Sequence, residues 1–426
     1  MTSFRSWVTT VRLHRGATAQ SLALARILVF GIWTVFVLVD PLHQLSRLPV
    51  ELFHTYGVFR LLPDSLWVAM LTPTGLLGMK LVFLTVLAWA MIGFRGARVA
   101  GIAALVVGLV YLQLKKGFGG HWDHRELTLV YVHAIMLLTP AWDAFAAHRR
   151  PRPARRPGVY GASLVAMSFI VIVQYLFIGT ARTFIGGPGV FMNGTLQQWV
   201  ENRNLRPNPF GFDIGTWFLA PFWSVPLDLL FLGGTVLEFV SVALLFLKPG
   251  WIKVLVAIGL VVFHASIFLM MNVAFPENMV LVLLFFDLAW PLRRLRRGHD
   301  SDGVLVYDAE NPVARAVVRR AYARDLDGRM RFASFGSAPA STLALGDASA
   351  ADGVAFVSDD GVARGQAAVT ETYFRMPGWA LFGWLRARLV DGSRPLPAQR
   401  GAAAEWFVGP VTDPEPALPH GDRVLS

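Results

Sequence analysis

The chain has 426 residues, 54% of them hydrophobic and only 16% charged, with a formal net charge of +11 and no cysteine. A soluble domain carries nearer one quarter charged residues, and a chain without cysteine forms no disulfide, thiolate nucleophile, Cys-ligated zinc site or iron–sulfur cluster. The basic excess does not point to nucleic acid, because the Arg and Lys residues fall in short runs between apolar segments, as topology determinants do.

Residues 1–16 lack an apolar h-region and a small-residue cleavage site, so the first span is expected to remain as an anchor. A bilayer core takes about 20 mostly apolar residues per helix. In chain order the candidates are Ser21–Val39, Thr74–Phe94, Val99–Leu114, Leu127–Ala146, Val159–Ala181, Leu227–Leu247, Ile252–Asn272 and Asn278–Leu292. The sequence therefore predicts an α-helical polytopic membrane bundle of about eight spans over residues 1–297. The third and eighth spans are short, and the eighth reads also as a half-span.

Lys and Arg give an orientation. Arg5, Arg12 and Arg15 precede the first span, and Arg95 and Arg98 lie in the second connection. The run Arg149–Arg156 occupies the fourth, Lys248 and Lys253 the sixth, and Arg293–Arg297 the start of the tail. With eight crossings all five fall on one side, which places both termini in the cytoplasm, of a bacterial inner membrane. The opposite side carries the loop from Arg182 to Pro226, with Trp199, Phe210, Phe212, Trp217, Phe218, Phe222 and Trp223. So aromatic a loop is not disordered; it reads as a belt at headgroup depth or as a lid over a lipid-accessible cavity.

Ionisable groups within spans are candidates for function. Arg26 lies near one end of the first span, where it can snorkel. Glu238 and His264 are mid-span, where they would satisfy each other as an interhelical pair or handle protons. His133 and Gln174 read as interhelical hydrogen bonders. The densest cluster runs from Lys115 and Lys116 through His121, Asp123, His124 and Glu126. It reads as a solvated loop, as a set of acid–base groups, or, less specifically, as mixed nitrogen and oxygen metal ligands.

Beyond Arg297 ordinary globular composition returns, and residues 303–426 read as a small α/β domain. GVLVYDAE, MRFASF and GVAFVSDDG are expected strands, while Pro312–Tyr322, Thr370–Met376 and Trp379–Leu389 are expected helices.

Two resemblances follow from these residues. Over Gly303–Leu389, the order of strand, Asp308, helix, Arg-Phe-Ala, Val-Ala-Phe-Val and then GVARGQAAVTE resembles the DCC family, small thioredoxin-like proteins with an Asp-Gly-x-Cys-x-x-Cys motif. Asn311 and Ala314 stand where the cysteines would be, so thiol–disulfide exchange is impossible and the resemblance implies a redox-dead domain kept for docking or stability. Over Ser21–Pro291, LALARILVFG, Trp122-Asp123-His124, VQYLFIGTAR and VFHASIFLMMNVAFPENMVLVLLFFD resemble in order the HTTM family, the membrane domain shared with vitamin K-dependent gamma-carboxylase. That resemblance implies a quinone or hydroquinone as cofactor, a supporting histidine at His124 and a basic lysine in the region Ala181-Arg182-Thr183. No lysine stands there. Arg182 stays protonated and suits an anion better than it serves as a base.

The expected function is an outward-facing cavity that binds a lipid, quinone or anionic headgroup. His124, Lys116 and Arg182 are the expected reactive residues, with His121, Asp123, Glu238 and His264 as the expected cofactor contacts. The alternatives are quinol-linked oxidation or modification of a peptide at the outer face, and a non-enzymatic membrane partner in peptide maturation or export.

Overall fold

The computed structural model describes residues 13–14, 17–119, 124–147, 157–205, 214–291, 303–325, 330–341, 343–359, 361–376 and 379–390. The chain divides into two compact units, one built from the helices up to Leu288 and one containing a sheet.

In the first unit α1 spans Ala19–Val39, and a short helix Asp64–Met70 leads into α2, Pro73–Ile92. The Thr72 hydroxyl accepts from the Gly75 N–H and Pro73 follows it, a favourable helix start; Gly93 closes the helix in the left-handed region. Next come α3 (Ala97–Lys116), α4 (His124–Leu137), α5 (Pro157–Thr180), α6 (Thr195–Asn204), α7 (Ser224–Val240), α8 (Trp251–Met271) and α9 (Pro276–Leu281).

Among the described residues six segments are long and apolar enough to cross a membrane: Ala19–Val39, Pro73–Ile92, Ala97–Lys116, Gly158–Ile185, Pro221–Leu245 and Trp251–Met271. Their outer faces are apolar, with Val99 70%, Phe177 73% and Trp251 71% exposed. Such faces suit acyl chains, whereas on a water-soluble monomer they would be an anomalous patch.

Against the expected count of about eight spans, six described helices have the length of a full span, and two further apolar helices are shorter. α4 has 14 residues, about 21 Å of helix against a hydrocarbon core of about 30 Å. It stops because Thr139 precedes Pro140, which disfavours continued helix at the residue before it and contributes no N–H. α9 begins at Pro276 and passes into a 3-10 turn, Val282–Phe285, before extended Phe286 ends it.

Both short helices run alongside a full-length neighbour. Near one end of α4 Glu126 pairs with Lys116 at 3.1 Å, and just beyond the other the Thr139 carbonyl accepts from Arg98 at 2.8 Å. The chain after α9 brings Phe286 to 5.6 Å from the ammonium of Lys253, in the first turn of α8.

Arg26 does not snorkel. It is fully buried and donates to the carbonyls of Ala141 (2.9 Å), Ala144 (3.3 Å) and Phe145 (2.7 Å), in the irregular segment after α4. Those carbonyls substitute for an acidic partner. His133 reaches the Gly101 carbonyl at 3.1 Å, and Thr128 donates to Gln174, so both expected interhelical bonders do bridge helices.

The second unit holds a four-stranded sheet in the order β2-β1-β3-β4, with β1 Gly303–Tyr307, β2 Met330–Ser334, β3 Val354–Ser358 and β4 Gly361–Arg364. β1 pairs parallel with β2 and antiparallel with β3, and β3 pairs antiparallel with β4. The unit also contains α10 (Pro312–Arg324), α11 (Gly365–Arg375) and α12 (Ala380–Leu389). Val313, Val317 and Ala321 of α10 pack with Leu305, Phe332, Phe356 and Val369 in one core. Asn311 caps α10, its side-chain oxygen accepting from the N–H groups of Val313 (2.9 Å) and Ala314 (3.2 Å).

This unit departs from the sequence expectations in two places. GVAR forms a fourth strand that no expectation covered, and the helix expected from Thr370 begins five residues earlier, at Gly365 within GVARGQAAVTE.

Candidate functional site

A cavity of about 410 Å³ opens in the bundle unit among α5, α6, α7, α8 and the turn that follows α8. Each helix contributes one stripe of its surface. α5 and its extension supply Tyr175, Ile178 and Arg182, spaced i, i+3, i+7. α7 supplies Phe231 and Glu238, one heptad apart, and α8 supplies Phe263, His264, Ile267 and Met270. α6 covers it with Leu196, Trp199, Asn202 and Arg203.

Arg182 is carried not by the α-helix but by a π-helical turn, Ala181–Ile185, that continues α5. Such turns shift the register of a helix face and occur often at functional sites. The guanidinium Nη1 donates to both Oε1 and Oε2 of Glu238, each at 2.9 Å, and its carbon lies 5.2 Å from the centre of the Phe231 ring. The approach of α5 to α7 depends on Gly179: a Cβ there would stand 3.3 Å from the Phe239 ring and 3.5 Å from Glu238 Oε2. Deeper along the same stripe, the Tyr175 hydroxyl is 2.9 Å from His264 Nε2. The cavity thus joins apolar and aromatic walls to an ion pair and a phenol–imidazole hydrogen bond, the combination that orients an amphiphilic molecule.

α6 is tied down at both ends. Asp228 accepts from the Gly194 N–H at 3.0 Å, and Gln197 donates to the carbonyls of Phe218 and Ala220 at 2.9 Å each. At the other end the Asn204 amide donates to the Met270 carbonyl at 2.8 Å and accepts from Asn272 at 3.2 Å.

Three of the expected site residues, Arg182, Glu238 and His264, meet in this cavity. Their pairing differs from expectation: Glu238 takes Arg182 and His264 takes Tyr175, so the Glu238–His264 pair is replaced by two neighbouring ones. Lys116 is not among the lining residues; its ammonium faces Glu126 at 3.1 Å. Lys115 is held by Asp40 at 2.7 Å, an oxygen that also accepts from Tyr111 at 2.7 Å. His121 and Asp123 lie outside the described residues, as does the side chain of His124, whose backbone opens α4. Among the described residues no three His, Asp or Glu side chains gather as metal ligands.

Sequence reasoning passed over Tyr175, Asn202 and Arg203. The i, i+3, i+7 spacing of Tyr175, Ile178 and Arg182 was the available signal for the first. No family model matches the chain, and no match to it exists among curated proteins or solved structures.

Proposed function

We propose that the chain is an integral membrane protein of the HTTM type whose cavity binds an amphiphile drawn from the bilayer, a lipid or a quinone. The observation that carries this is the meeting of Arg182, Glu238, Tyr175 and His264 in one largely apolar cavity of about 410 Å³. Volumes of roughly 300–1,000 Å³ with a few convergent polar groups are typical of ligand sites. The lid reading of the aromatic loop is supported by α6, whose Trp199 and Leu196 wall the cavity.

In this reading α4 and α9 complete two further crossings, giving eight. Support comes from the contacts at both ends of α4 with α3 and from the approach of Phe286, after α9, to the first turn of α8. Both termini are then cytoplasmic, the cavity belongs to the outer half, and a bacterial inner membrane is the setting. The C-terminal unit is a degenerate DCC-type domain, with Asn311 serving as a helix cap where that family has a cysteine.

The test is ligand binding by the full chain in lipid nanodiscs, titrated with a labelled phospholipid and a long-chain quinone. Arg182→Ala and His264→Ala should each weaken binding of at least one ligand about tenfold, the value of one hydrogen bond to a charged or buried group. Unchanged binding of both ligands in both variants overturns the reading.

A further inference from the structure

The cavity carries its own charge balance. Arg182, Arg203 and Glu238 line it, so two fixed positive charges face one negative. Arg182 engages Glu238 through a single nitrogen, Nη1, which leaves Nη2 and Nε without a partner among the described residues. Arg203 enters from the covering helix α6, is exposed, and forms no ion pair with a described carboxylate.

An uncharged occupant would fill the apolar walls yet displace water from the open edge of Arg182, which is part-buried, and return nothing. Leaving a charged donor unsatisfied is the expensive case. An oxyanion, in contrast, accepts the two parallel N–H groups of a guanidinium edge. The volume, about 410 Å³, sits at the lower end of ligand sites and has room for one hydrocarbon chain rather than the two of a phospholipid. Phe263, Ile267 and Met270 give that chain its wall.

Resting on the reading that the cavity takes an amphiphile, we propose that its ligand is a single-chain amphiphile ending in an oxyanion, a carboxylate or a phosphate monoester, held by the open edge of Arg182 and by Arg203. Glu238 does not oppose this: it neutralises Nη1 and fixes the guanidinium so that its other edge is presented to the ligand. Because Arg203 belongs to α6, binding the head also draws the covering helix onto its ligand.

The experiment compares hexadecanoate, hexadecyl phosphate and hexadecan-1-ol, each titrated into the full-length protein in nanodiscs of zwitterionic lipid. At least one of the two anions should bind about tenfold or more tightly than the alcohol, and the stronger anion identifies the head. Arg203→Gln changes an exposed side chain that holds no fold contact; it should weaken the preferred anion about tenfold and leave the alcohol unchanged. Equal binding of anion and alcohol, or anion binding indifferent to Arg203→Gln, overturns the proposal. If no single-chain compound binds while the phospholipid or quinone does, this proposal fails and the broader reading stands. If none of the five ligands binds, both fail.

Discussion

A single side chain near the start of the bundle makes the unit's stability depend on acid. His14, in a turn before α1, donates from Nε2 to the Leu284 carbonyl at 2.6 Å and lies 3.4 Å from the Ser168 hydroxyl. Burial, with Lys253 nearby as a lesser cause, pushes its imidazole down from 6.5 to about 4. A base with a lowered folded-state value binds fewer protons folded than unfolded. Its contribution is therefore complete above the ordinary value of 6.5 and is lost as pH falls from there toward about 4. The full loss is at most about 3 kcal/mol, at 1.36 kcal/mol per unit. The thermal midpoint of the purified protein should fall between pH 7 and pH 5, and His14→Asn should flatten that slope. An equal slope in the variant would assign the acid sensitivity elsewhere.

At the scale of elements the covering helix α6 is the part most open to test. Gly215 lies where the Asn204 amide and the Met270 carbonyl converge, and a Cβ there would overlap both. Gly215→Val should therefore break the hydrogen bond that ties the end of α6 to α8 and leave α5 intact. Losing a buried bond of this kind costs about 1–3 kcal/mol, enough to raise amide hydrogen exchange in Thr195–Asn204 about tenfold or more. Exchange unchanged there would mean that α6 is held by its apolar face alone.

The same elements explain what could be read from sequence. The long apolar helices were legible because a run of such residues has few other solutions, and α10 was legible from Val313, Val317 and Ala321 on one face. The lengths of α4 and α9 were not: Leu127–Ala146 stays apolar beyond Pro140, and hydropathy does not register that the helix has ended. Nor was α6, whose Gln197, Gln198, Glu201 and Asn202 make it polar enough to pass for loop. In the cavity, the choice of residues was legible from their charge in apolar surroundings. Their partners were not, because the π-helical turn rotates Arg182 onto Glu238, and nothing in the spacing of a single helix encodes contacts across three. β4 was missed because four residues, Gly361–Arg364, pair with β3 along an edge and leave no alternation long enough to see.

For the molecule as a whole, the absence of native cysteine turns single cysteine substitutions into unambiguous reporters of sidedness. With eight crossings, an impermeant maleimide added to intact cells should label Ser46→Cys and Met192→Cys and spare Arg95→Cys and Lys248→Cys. The reverse pattern would invert the orientation. Labelling of Ser46→Cys without Met192→Cys would mean that α4 does not cross, since that helix alone separates the two arrangements.

The buried arginine of α1 has a consequence in time. Its hydrogen-bond acceptors lie 115 to 119 residues further along the chain. At synthesis rates of about 5–20 residues per second they emerge roughly 6–24 s after Arg26 itself. Throughout that interval α1 holds a cation, eight residues into the helix, with none of its final acceptors yet made, which makes its burial in hydrocarbon costly. The favoured position for Arg26 is therefore a polar boundary until Ala141, Ala144 and Phe145 arrive. The placement of one side chain thus sets an order of assembly, in which α1 reaches its final position only after the segment that follows α4 has been made.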